Sequence, residues 1–134
     1  MDILKLDMLK FFDGWNIFKI PVFQRNYNWT FDNCDQLFFD MQNILNTGRD
    51  HFIGTIVYKK FQEGIVPSFN IIDGQQRITT FQLLVKAMYD IEDNVINKKI
   101  LKNKILENEY ASADKKSKLV PIAFDYDIYN KIMN

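Results

Sequence analysis

The sequence predicts an α/β (α+β) domain in which a small mixed sheet is flanked by helices. Residues 16–23, 51–59 and 67–73 are rich in β-branched and aromatic side chains, and each run is short, as strands are. Two longer stretches, between Thr30 and Gly48 and over residues 75–93, instead place apolar side chains at steps of three and four. That spacing is the period of a helix with one buried face.

Composition predicts a single folded domain over residues 1–134. The chain is 47% hydrophobic and 15% aromatic, which disfavours disorder, and its formal net charge is zero. One cysteine and one histidine exclude an internal disulfide and a zinc cluster, and the single thiol is typical of a reducing cytoplasm. No apolar run reaches the roughly 18 residues that span a bilayer, and no signal peptide is evident. We therefore expect a cytoplasmic location and no membrane partner.

The amino-terminal half predicts four elements. Residues 3–12 form a short helix, and the strand at 16–23 ends at Pro21 or lies at a sheet edge there. Thr30 or Asp32 caps the next helix, and Gly48 stops it. Strands at 51–59 and 67–73 form a hairpin around Glu63-Gly64. The apolar face of the helix is formed by Cys34, Leu37, Phe38, Met41, Ile44 and Leu45.

The carboxyl-terminal half continues with a helix over residues 75–93 and a helical stretch over 95–107. A polar loop follows at 110–118, then a strand at 119–124 and the start of an element that the sequence leaves unfinished. We therefore expect these residues to be an amino-terminal piece of a longer protein. The inner face of the 75–93 helix is predicted to be Ile78, Phe81, Leu84, Val85, Met88 and Ile91.

The most informative local pattern is the junction Asp73-Gly74-Gln75-Gln76-Arg77, where a strand turns into a helix. The first N–H groups of a helix are unpaired and carry partial positive charge, and Gly74 allows a ligand close to the backbone. The amides of residues 75–77 therefore suit a phosphate, with the Arg77 guanidinium closing over it. Asp73 is placed to hold a magnesium ion, and Gln75 or Gln76 to orient an attacking water.

A structural interpretation of the same junction stays open. Asp73 would then cap the helix and Arg77 would pair with a surface carboxylate. The hydroxyls of Thr79 and Thr80 face the same choice, since they can contact a ligand or donate to carbonyls of their own helix. The junction is in any case not a Walker loop, because it lacks the GK[ST] ending.

A second pattern is the polar and aromatic segment that follows Pro21. Gln24, Arg25, Tyr27 and Trp29 stand at near-alternate positions of an extended stretch. Such a strip can stack on a base or sugar while the arginine meets a phosphate. Alternatively, Tyr27 and Trp29 pack against the following helix and Arg25 forms a structural ion pair.

Two weaker patterns complete the candidate residues. Gly54 and Thr55 interrupt the 51–59 strand, which indicates either a close ligand or room for a bulky neighbour. Residues 98–134 carry eight basic and five acidic groups, a net charge of +3, so Lys98 and Lys102 are candidates for DNA contact. A solvated helix face and loop explain the same lysines equally simply. The cluster comprises Lys98, Lys99, Lys102, Lys104, Lys115, Lys116 and Lys118.

Three of these stretches together resemble a known family. IPVFQRNYNW (20–29), HFIGTIVY (51–58) and NIIDGQQRITTFQLL (70–84), in this order and spacing, are similar to the amino-terminal domain of GmrSD-type restriction endonucleases. The resemblance covers roughly residues 3–93 and leaves the basic, helical extension at 94–134 outside it. It implies a ParB/sulfiredoxin-like fold whose DGQQR turn binds and hydrolyses a nucleoside triphosphate with Mg²⁺.

The resemblance also implies roles for matching positions. Asp73 to Arg77 correspond to the DGQQR turn, and Phe23, Gln24 and Arg25 correspond to a second wall of the pocket. Such domains usually precede a nuclease that cuts modified foreign DNA, so an effector nuclease and DNA are the expected partners. This chain holds no nuclease signature of its own, and Phe81 stands where a small aliphatic residue is usual. A catalytically silent DNA-sensing module or a protein-interaction module remains the alternative.

Overall fold

The computed structural model describes residues 8–47, 55–63, 65–109, 111 and 116–134. The predictions that involve residues 1–7, Gly48, His51 and Gly54 and the Gly64 turn lie outside these ranges. The helices are α1 (Met8–Phe12), α2 (Phe31–Thr47), α3 (Gln75–Ile91), α4 (Val95–Leu101) and α5 (Ala123–Met133). The strands are β1 (Ile17–Lys19), β2 (Val57–Glu63), β3 (Val66–Asp73) and β4 (Leu119–Val120), and a π-helical turn occupies Lys102–Leu106.

The described strands form one mixed sheet in the order β2-β3-β1-β4. β2 and β3 are an antiparallel hairpin, as predicted, while β1 runs parallel to both β3 and β4. Phe18 in the centre of β1 pairs with Phe69 on one side and with Leu119 on the other. The α/β class with a small mixed sheet and flanking helices is therefore confirmed.

β1 is shorter than predicted, and it is not an edge strand. It ends at Lys19, and one further ladder bond runs from the Ile20 N–H to the Val120 carbonyl at 3.0 Å. Pro21 has no N–H to continue the ladder, and its carbonyl instead accepts from the Gln24 N–H at 3.0 Å in a turn. Pro21 thus ends the strand, which was one of the two alternatives, and releases residues 25–30 as an irregular segment.

The core packs residues of the sheet against α3, and contacts between aromatic rings form one part of it. The rings of Phe12 and Phe81 stack at 5.6 Å, and Phe18 contacts both Phe12 and Phe69. Ile78, Phe81 and Val85 of the predicted inner face are buried. Met88 and Ile91 were expected there too, but they are 44% and 81% exposed, while Tyr89 of the same turn packs against the core.

The carboxyl-terminal segments belong to the same core. Gln82, fully buried in α3, donates to the Ile105 carbonyl of the π-helical turn at 3.1 Å. The predicted strand at 119–124 consists of Leu119 and Val120 alone, since Pro121 ends it and α5 begins two residues later. α5 then buries Tyr129 and Met133.

Lys118 belongs to the basic cluster predicted for DNA contact, but the structure buries it. Its side chain is fully buried, and its ammonium donates to the carbonyls of Phe12, Gly14 and Lys104 at 2.6, 2.8 and 2.8 Å. Burial lowers its pKa from 10.5 to about 8. Because these carbonyls come from the end of α1, the following turn and the π-helical turn, Lys118 joins three segments rather than contributing to a basic surface.

Candidate functional site

The turn between β3 and α3 is built on a left-handed glycine. Gly74 has φ 90° and ψ 13°, and a Cβ there would lie 3.1 Å from both Ile56 Cγ1 and the Thr55 carbonyl oxygen. The Asp73 carboxylate accepts from the Gly74 N–H at 2.9 Å. No side chain of the described residues caps α3, so Asp73 holds the turn rather than capping the helix. The amino end of α3 therefore keeps its unpaired N–H groups.

A polar cleft of about 430 Å³ opens at this turn. One side is the turn itself, and the other is the irregular segment after Pro21 together with the first turn of α2. The cleft brings together predicted residues that are about 50 positions apart in the chain. Its lining consists of Arg25, Asn28, Trp29, Asn33, Asp73, Gly74, Gln75 and Gln76.

Gln76 holds the backbone of the opposite side of the cleft. Its amide nitrogen donates to the Asn26 carbonyl at 3.1 Å, and its amide oxygen accepts from the Asn28 N–H at 2.9 Å. One side chain thus imitates the pair of hydrogen bonds that a neighbouring strand would supply. We call residues 24–29 the cleft wall, because these contacts fix them across from the turn.

Gln24, at the start of the cleft wall, is held by hydrogen bonds to β3 and to Gln75. The Gln24 amide donates to the Ile72 carbonyl at 3.0 Å, and its oxygen accepts from the buried Gln75 amide at 3.2 Å. Both glutamines of the turn therefore position the wall. A role for Gln75 or Gln76 in orienting water stays a prediction, and for Gln76 it would have to coexist with two backbone contacts.

Tyr27 points into the molecule. Its hydroxyl lies 2.7 Å from Thr80 Oγ1 and 3.4 Å from Cys34 Sγ, and burial is the main cause that raises its pKa to about 12. Its backbone N–H donates to the Asp125 carboxylate of α5 at 2.6 Å. This geometry favours the packing interpretation for Tyr27 over stacking on a base. Trp29 is half-buried as Tyr27 is, but it lines the cleft.

The threonines and Arg77 lie away from the cleft lining. Thr79 and Thr80 are buried, and their hydroxyls donate to the carbonyls of Gln75 and Gln76 at 2.7 and 2.9 Å. The second of their two interpretations therefore fits this geometry. Arg77 is half-buried in the first turn of α3 but does not line the cleft, whereas the exposed Arg25 does.

The remaining candidate residues are dispersed. Thr55 is exposed, and its carbonyl oxygen lies where a side chain at position 74 would approach it to 3.1 Å. The ammonium of Lys98 lies 4.4 Å from the Tyr89 ring centroid, and Lys102 pairs with Glu107 at 3.8 Å. Lys102 thus has a carboxylate partner and Lys118 is buried, while DNA contact by Lys98 and Lys102 stays a prediction.

Asp73 is the one carboxylate among the residues that line the cleft, so a metal there would need ligands from a bound molecule as well. Among the described residues, no group of three or more His, Cys, Asp or Glu side chains could hold an ion. Asp73 supplies one carboxylate, and Mg²⁺ in phosphate sites commonly takes one or two carboxylates plus substrate oxygens and water. Asp73 therefore fits a magnesium ion that arrives with a phosphate ligand.

Sequence reasoning missed three residues of this arrangement. Asn28 and Asn33 line the cleft, and Asn33 also accepts from the N–H and hydroxyl of Thr30 at 3.0 Å. The Thr-x-x-Asn spacing at the start of α2 was the available signal for Asn33. Asp125 had no local signal, because its contact with Tyr27 joins residues 98 positions apart.

Fold and cleft together define a mixed α/β domain whose polar cleft opens at a strand-to-helix turn. Over residues 8–134 the chain matches the family described as GmrSD restriction endonuclease, N-terminal domain, and it belongs to that family. It is therefore a domain of a GmrSD-type restriction system, which serves DNA defence. The match includes the extension at 94–134, beyond the stretch that carried the resemblance. No curated protein matches the chain.

None of the helices among the described residues has the length and apolar character that crossing a membrane requires.

Proposed function

We propose that the cleft binds a nucleoside triphosphate and that the domain hydrolyses it to regulate an associated nuclease of the restriction system. The observation that carries this proposal is the meeting of Arg25, Asp73 and the amino end of α3 in one polar cleft. A cation, a carboxylate and unpaired amides are the groups that a magnesium-bound polyphosphate needs.

The phosphates would lie on the backbone amides that follow Gly74. The absence of a capping side chain there among the described residues supports this placement, since the partial positive charge of α3 is left for a ligand. Arg25 would neutralise phosphate charge from the cleft wall. Asp73 would hold Mg²⁺ with its second carboxylate oxygen while the first keeps its contact with the Gly74 N–H.

The nucleoside would extend towards Trp29 and the two asparagines of the cleft. An indole offers a stacking face to any base, so its position supports a nucleotide over inorganic phosphate alone. Gln75 holds the wall through one hydrogen bond from its amide nitrogen, whereas Gln76 uses both its amide nitrogen and its oxygen. Gln75 is therefore the better placed of the two glutamines to orient a water.

Isothermal titration calorimetry with each of the four ribonucleoside triphosphates and Mg²⁺ tests the proposal. We expect micromolar binding by the unaltered chain, weakened about tenfold or more by Arg25→Ala and by Asp73→Asn, because each removes a charged contact. Lys59→Ala, which removes an exposed charge on β2, is the matched control and should bind normally. Arg77→Ala shows whether the second arginine contributes from outside the lining.

A folded chain that gives no heat with any nucleotide would overturn the proposed function. DNA titrations then decide between the alternatives. DNA affinity that falls steeply with salt, and that Lys98→Ala and Lys102→Ala weaken, would favour a DNA-sensing module. Absence of DNA binding as well would leave a protein-interaction module.

A further inference from the structure

The contact between Asp125 and Tyr27 joins the last helix to the cleft wall. The Asp125 carboxylate accepts from the Tyr27 backbone N–H at 2.6 Å, across 98 positions of sequence. A hydrogen bond to an ionised carboxylate at this length is among the stronger kinds in proteins. Asp125 is half-buried in the first turn of α5, whose start is fixed by the Asp125 N–H donating to the Ile122 carbonyl at 3.0 Å.

The cleft wall depends on such contacts because its backbone makes no sheet or helix of its own. Residues 25–30 are irregular, so side chains from other elements must fix them. Gln76 holds the residues on both sides of Tyr27, and Thr80 holds the Tyr27 hydroxyl. Both of these anchors come from α3.

Asp125 is the anchor that α5 supplies, beside the contacts that the cleft wall makes with Ile72 of β3 and Cys34 of α2. It fixes the backbone at the midpoint between the two points that Gln76 holds. The segment on either side of Tyr27 carries Arg25, Asn28 and Trp29, the three cleft-lining residues that the wall contributes. A change in the Tyr27 backbone would therefore displace the cation and the indole together.

We propose that Asp125 is a positioning residue for the nucleotide cleft, through which α5 sets the affinity for nucleoside triphosphate. The inference rests on the proposed function. Asp125 holds the cleft wall at the distance where Arg25 and Trp29 reach a ligand bound on α3. It contacts no ligand itself, so its loss weakens binding through the wall.

The test measures both the wall and the ligand. In a Trp15→Phe background, Trp29 is the sole tryptophan and its emission reports the wall directly. Asp125→Ala removes the acceptor, and Asp125→Asn retains a neutral oxygen that accepts more weakly. Asp127→Asn, two residues along the same helix with an exposed side chain, is the matched control. Each variant is titrated with the nucleoside triphosphate that the unaltered chain binds best, and circular dichroism confirms that it is folded.

We expect Asp125→Ala to shift the Trp29 emission and to weaken nucleotide binding about tenfold or more, with Asp125→Asn intermediate and Asp127→Asn unchanged. The Tyr27 amide proton resonance should move upfield in both Asp125 variants, as a charge-assisted hydrogen bond is lost. The conservative Asp125→Asn variant guards against a folding failure of Asp125→Ala.

Two outcomes would overturn the inference in distinguishable ways. If the unaltered chain binds nucleotide and both Asp125 variants bind it equally well with unchanged Trp29 emission, the positioning role is wrong while the proposed function stands. If the unaltered chain binds no nucleotide, the proposed function fails and the inference fails with it.

Discussion

Gly74 shows how one residue fixes the shape of the candidate site. Its positive φ turns the chain from β3 into α3, and its missing side chain leaves room for Ile56 and the Thr55 carbonyl. A second glycine, Gly14, has nearly the same φ of 93° but a more open neighbourhood, where a Cβ would lie 3.5 Å from the side-chain amide nitrogen of Asn16. Comparing alanine substitutions at Gly74 and Gly14 therefore distinguishes the cost of a left-handed backbone from the cost of steric crowding.

We expect Gly74→Ala to lower the free energy of unfolding by about 2–4 kcal/mol and Gly14→Ala by about 1–2 kcal/mol. Both changes place alanine in the left-handed region, but only the first also pushes against backbone at 3.1 Å. Urea unfolding followed by circular dichroism measures the difference. Equal losses for the two variants would show that crowding at the β3–α3 turn is unimportant.

Lys118 gives a pH-dependent prediction. The unfolded chain keeps this proton up to a pKa of about 10.5, whereas the buried ammonium loses it at about 8. Between these values the unfolded state binds more protons, so stability contributed by this group rises with pH. We expect the native chain to gain on the order of 2–3 kcal/mol over Lys118→Met between pH 7 and pH 10.

Urea unfolding of both proteins across this pH range measures the gain. Lys131→Met on the exposed side of α5 is the matched control, and it should follow the native chain. At pH 7 the Lys118→Met protein should already be less stable by about 2–4 kcal/mol, because three carbonyls lose their donor. A constant difference from pH 7 to 10 would contradict the assigned burial of the ammonium.

At the scale of elements, the cleft depends on how α3 holds an irregular segment. Gln76→Ala should lower the free energy of unfolding by about 1–3 kcal/mol, since it strips both amide contacts from the cleft wall. Gln36→Ala is the control, because that exposed side chain bonds Asp40 on the same helix, and it should cost about 0.5 kcal/mol or less. Backbone amide exchange should accelerate at Asn28 in the Gln76→Ala variant alone, and unchanged protection there would contradict the role of Gln76 in holding the cleft wall.

Sequence patterns predicted the elements well where the signal is local. Pro21 ends β1, α3 begins directly after Gly74, and β2 and β3 form the expected hairpin. The prediction failed where a short pattern fits two structures. Residues 119–124 are apolar enough for a strand, yet Pro121 limits β4 to two residues and α5 follows.

The residues of the candidate site were also predictable only where the sequence signal is local. Adjacent residues carry the signals for a turn and for a helix start. These signals made Asp73, Gly74 and the two glutamines recognisable. The predicted wall residues Gln24 and Arg25 do face that turn, but Tyr27 turned inward and Arg77 fell outside the lining. Asp125 contacts Tyr27 across 98 positions, and Lys118 contacts Phe12 across 106, which periodicity and spacing do not encode.

At the scale of the whole molecule, the segment after residue 93 is part of the fold rather than an appendage. It supplies β4 and α5, and its core residues are Ile105, Leu106, Leu119, Tyr129 and Met133. A chain that ends at residue 93 should therefore lack a cooperative thermal transition, although it keeps every motif that carried the family resemblance. Circular dichroism melting measures this, and co-expression with residues 94–134 should restore folding in part. A cooperative transition in the shortened chain alone would contradict this account.

The placement of β1 between two later strands has a consequence for synthesis in the cell. Phe18 finds one neighbour in Phe69 and the other in Leu119, roughly one hundred residues downstream. At the usual ~5–20 residues per second of translation, the nascent chain waits several seconds with its central strand half-paired. Parallel pairing over such a span is slow to nucleate, so ribosome-associated chaperones would have an exposed strand to protect until β4 emerges.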